Sequence, residues 1–150
     1  MEKLAIDGGT PVCVGLTWGR NLIGEEEKKA VIELMEKSIA EGKAFDRYGG
    51  TYVDAYEREF AEFVGTAYAT AVSSGTAAIH SALAALRLEP GTEVICSPIT
   101  DPGAVSPVLM NMCIPVFADT SPDSFNMSPE GVERVISERT GAIVVGHIAG

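Results

Sequence analysis

Apolar residues recur at helical spacing in the first third of the chain. In GEEEKKAVIELMEKSIAEGK, between Gly24 and Lys43, they return every three to four positions, which predicts an amphipathic helix. The stripe consists of Val31, Leu34, Met35, Ser38 and Ile39. Three acidic residues at the start complement the helix dipole, and Gly42 suits a left-handed end. A second helix is predicted over about 52–64, with Gly65 closing it. The residues expected on its inward face are Val53, Tyr56, Phe60 and Phe63.

From residue 66 the pattern changes to short apolar runs that alternate with helical stretches. The predicted strands are Tyr68–Val72, Glu93–Ser97, Ile114–Asp119 and Gly141–His147. Helices are predicted over 77–88, 103–111 and 129–137, the last with Ser128 as N-cap and Pro129 at its first position. Continuous apolar strands that alternate with helices indicate a parallel sheet covered on both faces. The expected fold class is therefore α/β, a three-layer α/β/α arrangement with a mostly parallel sheet.

Composition and charge narrow the range of functions. The 150 residues include 11 Lys and Arg against 21 Asp and Glu, for a formal net charge of -10. This balance argues against nucleic-acid or anionic-membrane partners. No apolar run reaches the length of a signal peptide or a membrane span.

The three cysteines point to the compartment rather than to chemistry. Cys13, Cys96 and Cys113 are far apart and lack CxxC spacing, so neither a disulfide scaffold nor a zinc or other metal site is expected. Each is predicted to be a small buried apolar side chain. Together with the missing signal peptide, this favours a soluble protein of a reducing cytoplasm.

Candidate chemistry lies where the strands end, because ligands of α/β sheets bind beyond the carboxyl ends of the strands. The turn Ser73–Thr76 runs directly into a helix and offers backbone N–H groups, hydroxyls and the positive end of the helix dipole. These are the elements of a phosphate site, although a Ser or Thr at this position is also an ordinary helix cap. An unrelated nucleotide-binding domain is disfavoured, since neither GxGxxG after a strand nor GxxxxGK[ST] occurs.

Several segments, in order along the chain, carry a family resemblance. They are the opening GGTPV, the GEEE helix, GGTYVDAYEREFAEFVGTAYA, AVSSGTAAIHSALAAL, PGTEVICSPIT, IPVFAD, the Pro129 helix and RTGAIVVGHIAG. Together they resemble the DegT/DnrJ/EryC1/StrS family of sugar aminotransferases, which have fold type I and depend on pyridoxal 5'-phosphate (PLP). The resemblance covers essentially the whole chain.

The resemblance implies amino transfer from glutamate or glutamine to a keto sugar, usually nucleotide-linked, or to a cyclitol. The family's phosphate-holding residues carry over to Gly75 and Thr76, with Ser74 beside them. Residues 1–65 would form an N-terminal helical arm and residues 66–150 the start of the PLP-binding large domain, without its later strands and the small C-terminal domain. The family also implies a homodimer, for which Tyr48–Gly50 and Trp18 are the interface candidates.

The sequence departs from the family pattern at one position of the expected site. Asp101 stands where the family usually has an aromatic residue that stacks on the pyridine ring, and a carboxylate cannot stack. His147 falls in the family's strand-end histidine segment, with simple packing as the alternative. His80 is interpreted as a core or contact residue, and Asp119 as structural.

The chain also lacks the residues that would carry the reaction. Its five lysines all precede residue 44, before the phosphate loop, and none is a credible Schiff-base residue. No catalytic residue is therefore assigned, and the 150 residues are expected to be inactive alone. Because a strand is the last predicted element, we expect a fragment of a longer enzyme or one subunit of a split enzyme.

Two alternatives to the aminotransferase stay open. One is a PLP-dependent sugar dehydratase of the same family, in which histidine replaces the Schiff-base lysine. The other is a non-catalytic binding or regulatory homologue, which Asp101 makes plausible.

Overall fold

A computed structural model describes residues 3–11, 22–43 and 49–148. The chain divides into two compact units, Met1–Gly50 and Thr51–Gly150. Cys13, Trp18 and Tyr48, for which burial or an interface role was predicted, lie outside the described residues. In the described part of the chain, every helix is too short or too polar to cross a membrane.

The first unit contains a short 3-10 helix, Ala5–Asp7, and the long helix α1, Glu25–Glu41. At the start of α1, the Glu27 carboxylate accepts a hydrogen bond from the Gly24 N–H at 2.6 Å, and this bond lowers the pKa of Glu27. At the end, Gly42 adopts the left-handed conformation with φ of 63°, as the sequence predicts. The predicted apolar stripe is only partly protected, because Leu34 and Ser38 are half-buried while Met35 is exposed.

The second unit begins with α2, Thr51–Val64, which ends at Gly65 with φ of 78°. The predicted helix is confirmed, but the prediction that its aromatic residues point inward is wrong. Phe63 is 89% exposed and Tyr56 is 56% exposed, whereas the buried residue of the helix is Ala61. The helical period places these aromatic residues on one side, but burial also needs a partner surface, which the described residues do not provide.

The centre of the second unit is a parallel α/β arrangement, which confirms the predicted fold class. Its elements are α3 (Gly75–Ala85), β1 (Glu93–Cys96), α4 (Pro102–Met110), β2 (Ile114–Phe117), α5 (Pro129–Val135) and β3 (Thr140–Val144). The three strands pair in parallel in the order β2-β1-β3. The connection through α4 runs to one side of β1, and the connection through α5 returns to the other. With right-handed crossovers, this reversal places α4 and α5 on opposite faces of the sheet.

The core is centred on β1, whose four residues are all buried. Val94 and Cys96 pack with apolar residues of α3, α4 and the segment after α4, namely Leu83, Val108 and Cys113. Burial of Cys96 and Cys113 confirms the interpretation of these cysteines as small core residues. Pro107 inside α4 is also buried, and its carbonyl accepts hydrogen bonds from the backbone and the side chain of Asn111.

The predicted first strand, Tyr68–Val72, is not a strand among the described residues, and that prediction is wrong here. Both edges of β1 are already occupied by β2 and β3, and no described strand is paired with this segment. Its Ala71 N–H instead donates to the Glu57 carboxylate of α2 at 2.7 Å. An apolar run becomes a strand only when a neighbour completes its hydrogen bonds.

A polar cluster fixes the amino end of the sheet. The buried Glu93 carboxylate accepts hydrogen bonds from the Ser137 hydroxyl, at 2.5 Å, and from the Arg139 guanidinium. The Ser137 hydroxyl and the neighbouring arginine charge hold the pKa of Glu93 below its ordinary value of 4.5. The cluster joins the start of β1 to the residues before β3, at the end of the sheet opposite the strand carboxyl ends.

Candidate functional site

A small cavity of about 100 Å³ lies where the carboxyl ends of β1 and β3 meet helices α3 and α4. Its lining residues are Ile79, Cys96, Ser97, Thr100, Ala104, Val144, Val145 and Gly146. This is the sheet edge at which the sequence predicts ligand binding.

Helix α3 begins beside this region with the predicted Ser-Gly-Thr turn. Ser74 is the N-cap, and its hydroxyl accepts a hydrogen bond from the Ala77 N–H at 3.1 Å. In the described structure, the preceding N–H groups, those of Gly75 and Thr76, have no hydrogen-bond partner. A Cβ placed on Gly75 would meet no atom within 4 Å, so the turn opens onto free space. Two unpaired N–H groups, an open approach and the positive helix end together fit a phosphate group.

Helix α4 begins close to the same turn. Asp101 is the N-cap of α4, and its carboxylate accepts a hydrogen bond from the Gly103 N–H at 3.0 Å. The structure thus gives Asp101 a role that the family comparison could not indicate, because it starts the helix that packs against α3. Gly103 in turn lies against Thr76, where a Cβ on Gly103 would stand 2.5 Å from the Thr76 hydroxyl oxygen.

The wall of the cavity formed by β1 is neutral. Cys96 is only 1% exposed, and burial raises the pKa of its thiol, so the thiol stays protonated and is a poor nucleophile. The next residue, Ser97, is also buried, and its hydroxyl donates to the Ile99 carbonyl at 3.2 Å. These groups shape the cavity and supply no base or nucleophile.

The two histidines and Asp119 occupy different places in the fold. His147 is exposed three residues beyond the end of β3. His80 is half-buried on α3, and its backbone carbonyl faces the Asn111 side-chain amide at the end of α4 at 3.5 Å. The Asp119 carbonyl accepts a hydrogen bond from the Ser128 N–H at 3.1 Å and so holds the start of α5.

A larger groove of about 390 Å³ lies beside α2 and away from the strand ends. It is open, and its walls carry several carboxylates, among them Asp54, Glu57 and Glu62. Glu57 is engaged with the backbone of residue 71, and the predominance of acidic groups is unfavourable for a phosphate. The turn at the start of α3, which borders the smaller cavity without lining it, is therefore the better candidate for the predicted chemistry.

The lysines of the chain belong to the first unit, and two of those on α1 form ion pairs with glutamates. Lys28 pairs with Glu25 at 3.0 Å, and Lys29 lies 3.7 Å from Glu33. All four side chains are well exposed, as expected for the solvated face of a helix. Across the residues described, no three potential ligands form a cluster that could hold a metal ion.

The fold and the site define a class: a parallel α/β protein with a candidate anion-binding turn at the carboxyl edge of its sheet. Comparison with known families gives the particular assignment. The profile of the DegT/DnrJ/EryC1/StrS aminotransferase family matches residues 21–150. The chain belongs to this family, which confirms the resemblance drawn from its motifs.

Curated relatives agree with this assignment. The chain is 37% identical over 135 residues to the spore coat polysaccharide biosynthesis protein SpsC of Bacillus subtilis, covering 90% of this chain and 33% of SpsC. It is 41% identical over 101 residues to the GDP-perosamine synthase of Vibrio cholerae, covering 67% of this chain and 28% of that enzyme. The chain thus spans about a third of the length of the curated relatives it matches.

Solved structures show the same fold. An aminotransferase from Psychrobacter cryohalolentis superimposes with a TM-score of 0.78 at 32% identity, covering 87% of this chain and 32% of that one. A GDP-4-keto-6-deoxymannose-3-dehydratase, solved with a trapped PLP-glutamate geminal diamine, gives a TM-score of 0.75 at 25% identity, with 87% and 34% covered. Aminotransferases and a dehydratase are therefore both among the structural neighbours.

Sequence reasoning missed one residue that shapes this site. Gly103 is one of 16 glycines and lies within an ordinary helical stretch, so no pattern distinguishes it. Its closeness to Thr76 follows from how α3 and α4 pack, and that packing is not visible in the residue order.

Proposed function

We propose that the full-length protein is a PLP-dependent aminotransferase that moves an amino group from glutamate or glutamine to a keto sugar or cyclitol. The keto sugar is proposed to be nucleotide-linked. In this proposal residues 66–150 are the start of the PLP-binding large domain, and residues 1–65 form an N-terminal arm. The family membership of the chain supports the reaction class, and the open turn at the start of α3 supports the cofactor.

The observation that carries the proposal is the pair of unpartnered N–H groups at Gly75 and Thr76. Both would donate to oxygens of the cofactor phosphate, and the Thr76 hydroxyl would add a further donor. Ser74 would support them by capping α3 and so fixing the direction of the N–H groups. The phosphate would thereby orient the cofactor at the carboxyl edge of the sheet, which is where α/β proteins hold their ligands.

When bound, PLP supplies an electron sink for the carbon that gains or loses the amino group. In this proposal the turn at the start of α3 would bind and orient the cofactor, while the five lysines of these 150 residues all precede that turn. We therefore assign the Schiff-base lysine and the acid that pairs with the ring nitrogen to polypeptide other than these 150 residues. Asp101 caps α4 at the edge of the site, so in this proposal either a neighbouring side chain stacks on the ring or the ring is held differently.

We propose a homodimer in the cytoplasm as the working form. The dimer is supported by the family, and Gly49 and Gly50 remain the described part of the suggested interface loop. The compartment is supported by Cys96 and Cys113, which are free and buried, as suits a reducing environment.

A second candidate is a PLP-dependent sugar dehydratase. It is favoured by the structural match to the GDP-4-keto-6-deoxymannose-3-dehydratase. Both candidates use the same phosphate site and differ in what happens to the substrate, so product analysis separates them.

The test uses full-length protein with PLP, glutamate or glutamine, and a panel of nucleotide-linked keto sugars and cyclitol ketones. Mass spectrometry of the product is expected to show an amine in place of the ketone oxygen. A product that has lost a hydroxyl group without gaining nitrogen supports the dehydratase. If wild-type protein binds PLP but alters no substrate in the panel and consumes no amino donor, the non-catalytic alternative replaces both.

A further inference from the structure

Gly103 lies on α4 directly against Thr76 of α3, beside the candidate site. A Cβ on this residue would lie 2.5 Å from the Thr76 hydroxyl oxygen and 3.7 Å from the Thr76 Cβ. Real Cβ atoms essentially never stand that near a neighbouring oxygen, so any side chain at position 103 must displace the hydroxyl. The hydroxyl thus occupies the space that a side chain would otherwise fill.

The backbone does not explain the glycine. Gly103 lies inside α4 and is not among the residues with positive φ, so an L-residue could adopt its conformation without strain. Glycine early in a helix also carries an entropic cost relative to alanine. A side chain does not fit at position 103 because the hydroxyl oxygen of Thr76 fills the space that it would need.

Both partners of this contact are held in place. The Gly103 N–H donates to Asp101, which fixes the first turn of α4. Thr76 is half-buried at the start of α3, and a β-branched side chain in a helix has few rotamers. A methyl group on residue 103 would therefore not be absorbed by a small shift. It would turn the Thr76 hydroxyl toward another rotamer and away from its present direction.

We propose that Gly103 is a positioning residue, which keeps the Thr76 hydroxyl in the rotamer that serves the cofactor phosphate. This inference rests on the proposed function, since it assigns the phosphate to the Ser74–Thr76 turn. It adds a residue outside that turn, on a different helix, whose missing side chain sets the geometry of one donor.

The test is a double-mutant cycle in full-length protein, with PLP and with pyridoxal, which lacks the phosphate. Gly103→Ala is expected to weaken PLP binding about tenfold, the effect of losing one hydrogen bond to a charged group. Pyridoxal binding is expected to stay the same, because the phosphate donor is irrelevant to it. In the Thr76→Ala background, Gly103→Ala is expected to cause no further loss of PLP affinity, since the hydroxyl is already gone.

Thermal unfolding of the cofactor-free variants tests the contact between residues 103 and 76 without any ligand. Gly103→Ala is expected to lower Tm when Thr76 is present and to leave it equal or higher when residue 76 is alanine. The matched control is Gly24→Ala, the same change at the start of α1, where the nearest atom to the new Cβ is the flexible end of Glu27 at 3.4 Å. This control is expected to leave PLP affinity unchanged.

Three results overturn the inference. Equal weakening of PLP and pyridoxal binding means that Gly103 acts through the fold alone, while the proposed function stands. Unchanged PLP affinity in Gly103→Ala means that the contact has no bearing on the phosphate. Wild-type protein that binds PLP no better than pyridoxal removes the phosphate site itself, and with it both proposals.

A second comparison keeps the proposal testable if Gly103→Ala alone folds poorly. Serine at position 76 lacks the methyl group and can rotate its hydroxyl out of the clash. Gly103→Ala/Thr76→Ser is then compared with Thr76→Ser alone. Weaker binding of PLP with unchanged binding of pyridoxal supports the proposal, and equal affinities contradict it.

Discussion

Substitutions at Ser74 are expected to separate the stability of α3 from the binding of a phosphate. Its hydroxyl caps the helix by accepting a hydrogen bond from the Ala77 N–H at 3.1 Å. Ser74→Ala removes that cap and is expected to cost about 1 kcal/mol of unfolding free energy. Ser74→Asp keeps a capping oxygen and adds a negative charge at the positive end of the helix, so stability should be retained.

The two variants are expected to rank in the reverse order for PLP affinity, with Ser74→Asp binding more weakly than Ser74→Ala. If the phosphate binds about 5 Å from the introduced carboxylate, the repulsion at an effective dielectric constant of about 20 is roughly 3 kcal/mol per unit of phosphate charge. Screening by solvent reduces this, but a loss of about 100-fold or more in PLP affinity remains. Ser74→Ala leaves the N–H groups of Gly75 and Thr76 in place and is expected to weaken binding less than tenfold.

The assay is a PLP titration followed by absorbance, together with chemical denaturation of the same cofactor-free variants. Ser74→Asn serves as the matched control, since asparagine also caps helices but adds no charge. The reasoning fails if Ser74→Asp binds PLP as tightly as Ser74→Asn, because the phosphate then lies elsewhere.

Three further predictions concern the stability of the second unit. Because Ser137 and Arg139 lower the pKa of Glu93 in the folded state, its stabilisation is present above the ordinary value of 4.5 and is lost as the pH falls through the lowered pKa. Denaturation midpoints of wild type and Glu93→Gln should therefore differ at neutral pH and converge in acid, and a constant gap would contradict the assignment. Ser128→Ala, which removes the hydroxyl that accepts the Gly131 N–H at 2.9 Å, should cost about 1–2 kcal/mol in urea denaturation, whereas a loss below a few tenths would show that the cap is dispensable. Ile95→Val, at a fully buried position, should cost about 0.5–1.5 kcal/mol, and Ile143→Val, at a 43% exposed one, should cost less; equal losses would mean that β3 is as buried as β1.

The pattern of residues was sufficient to predict most elements of the second unit. Local signals account for this success: Ser128 with Pro129 starts α5, and the apolar run around Val94 and Ile95 is the fully buried central strand. Such signals act within a few residues, so the elements that they predict do not depend on distant parts of the chain.

The errors arose where an element depends on a distant partner. Tyr68–Val72 has the composition of a strand but no described neighbour, and Phe63 has helical spacing but no described surface to cover it. The same limit applies at the site. The Ser-Gly-Thr turn was recognisable from residue types and position, whereas the contact between Gly103 and Thr76 depends on how two helices pack.

The structure also changes the interpretation of Asp101. By comparison with the family, Asp101 replaces an aromatic residue that usually stacks on the cofactor ring. In the structure it is the N-cap of α4, the helix whose first turn lies against Thr76. A residue that departs from the family pattern therefore has a clear local function.

The central claim is that the turn Ser74–Thr76 holds the phosphate of PLP, and a crystal structure of the full-length protein with PLP tests it most directly. We expect phosphate oxygens at about 2.7–3.2 Å from the backbone nitrogens of Gly75 and Thr76, with the Thr76 hydroxyl as a further donor. A phosphate bound away from this turn, with both N–H groups facing solvent, would contradict the claim.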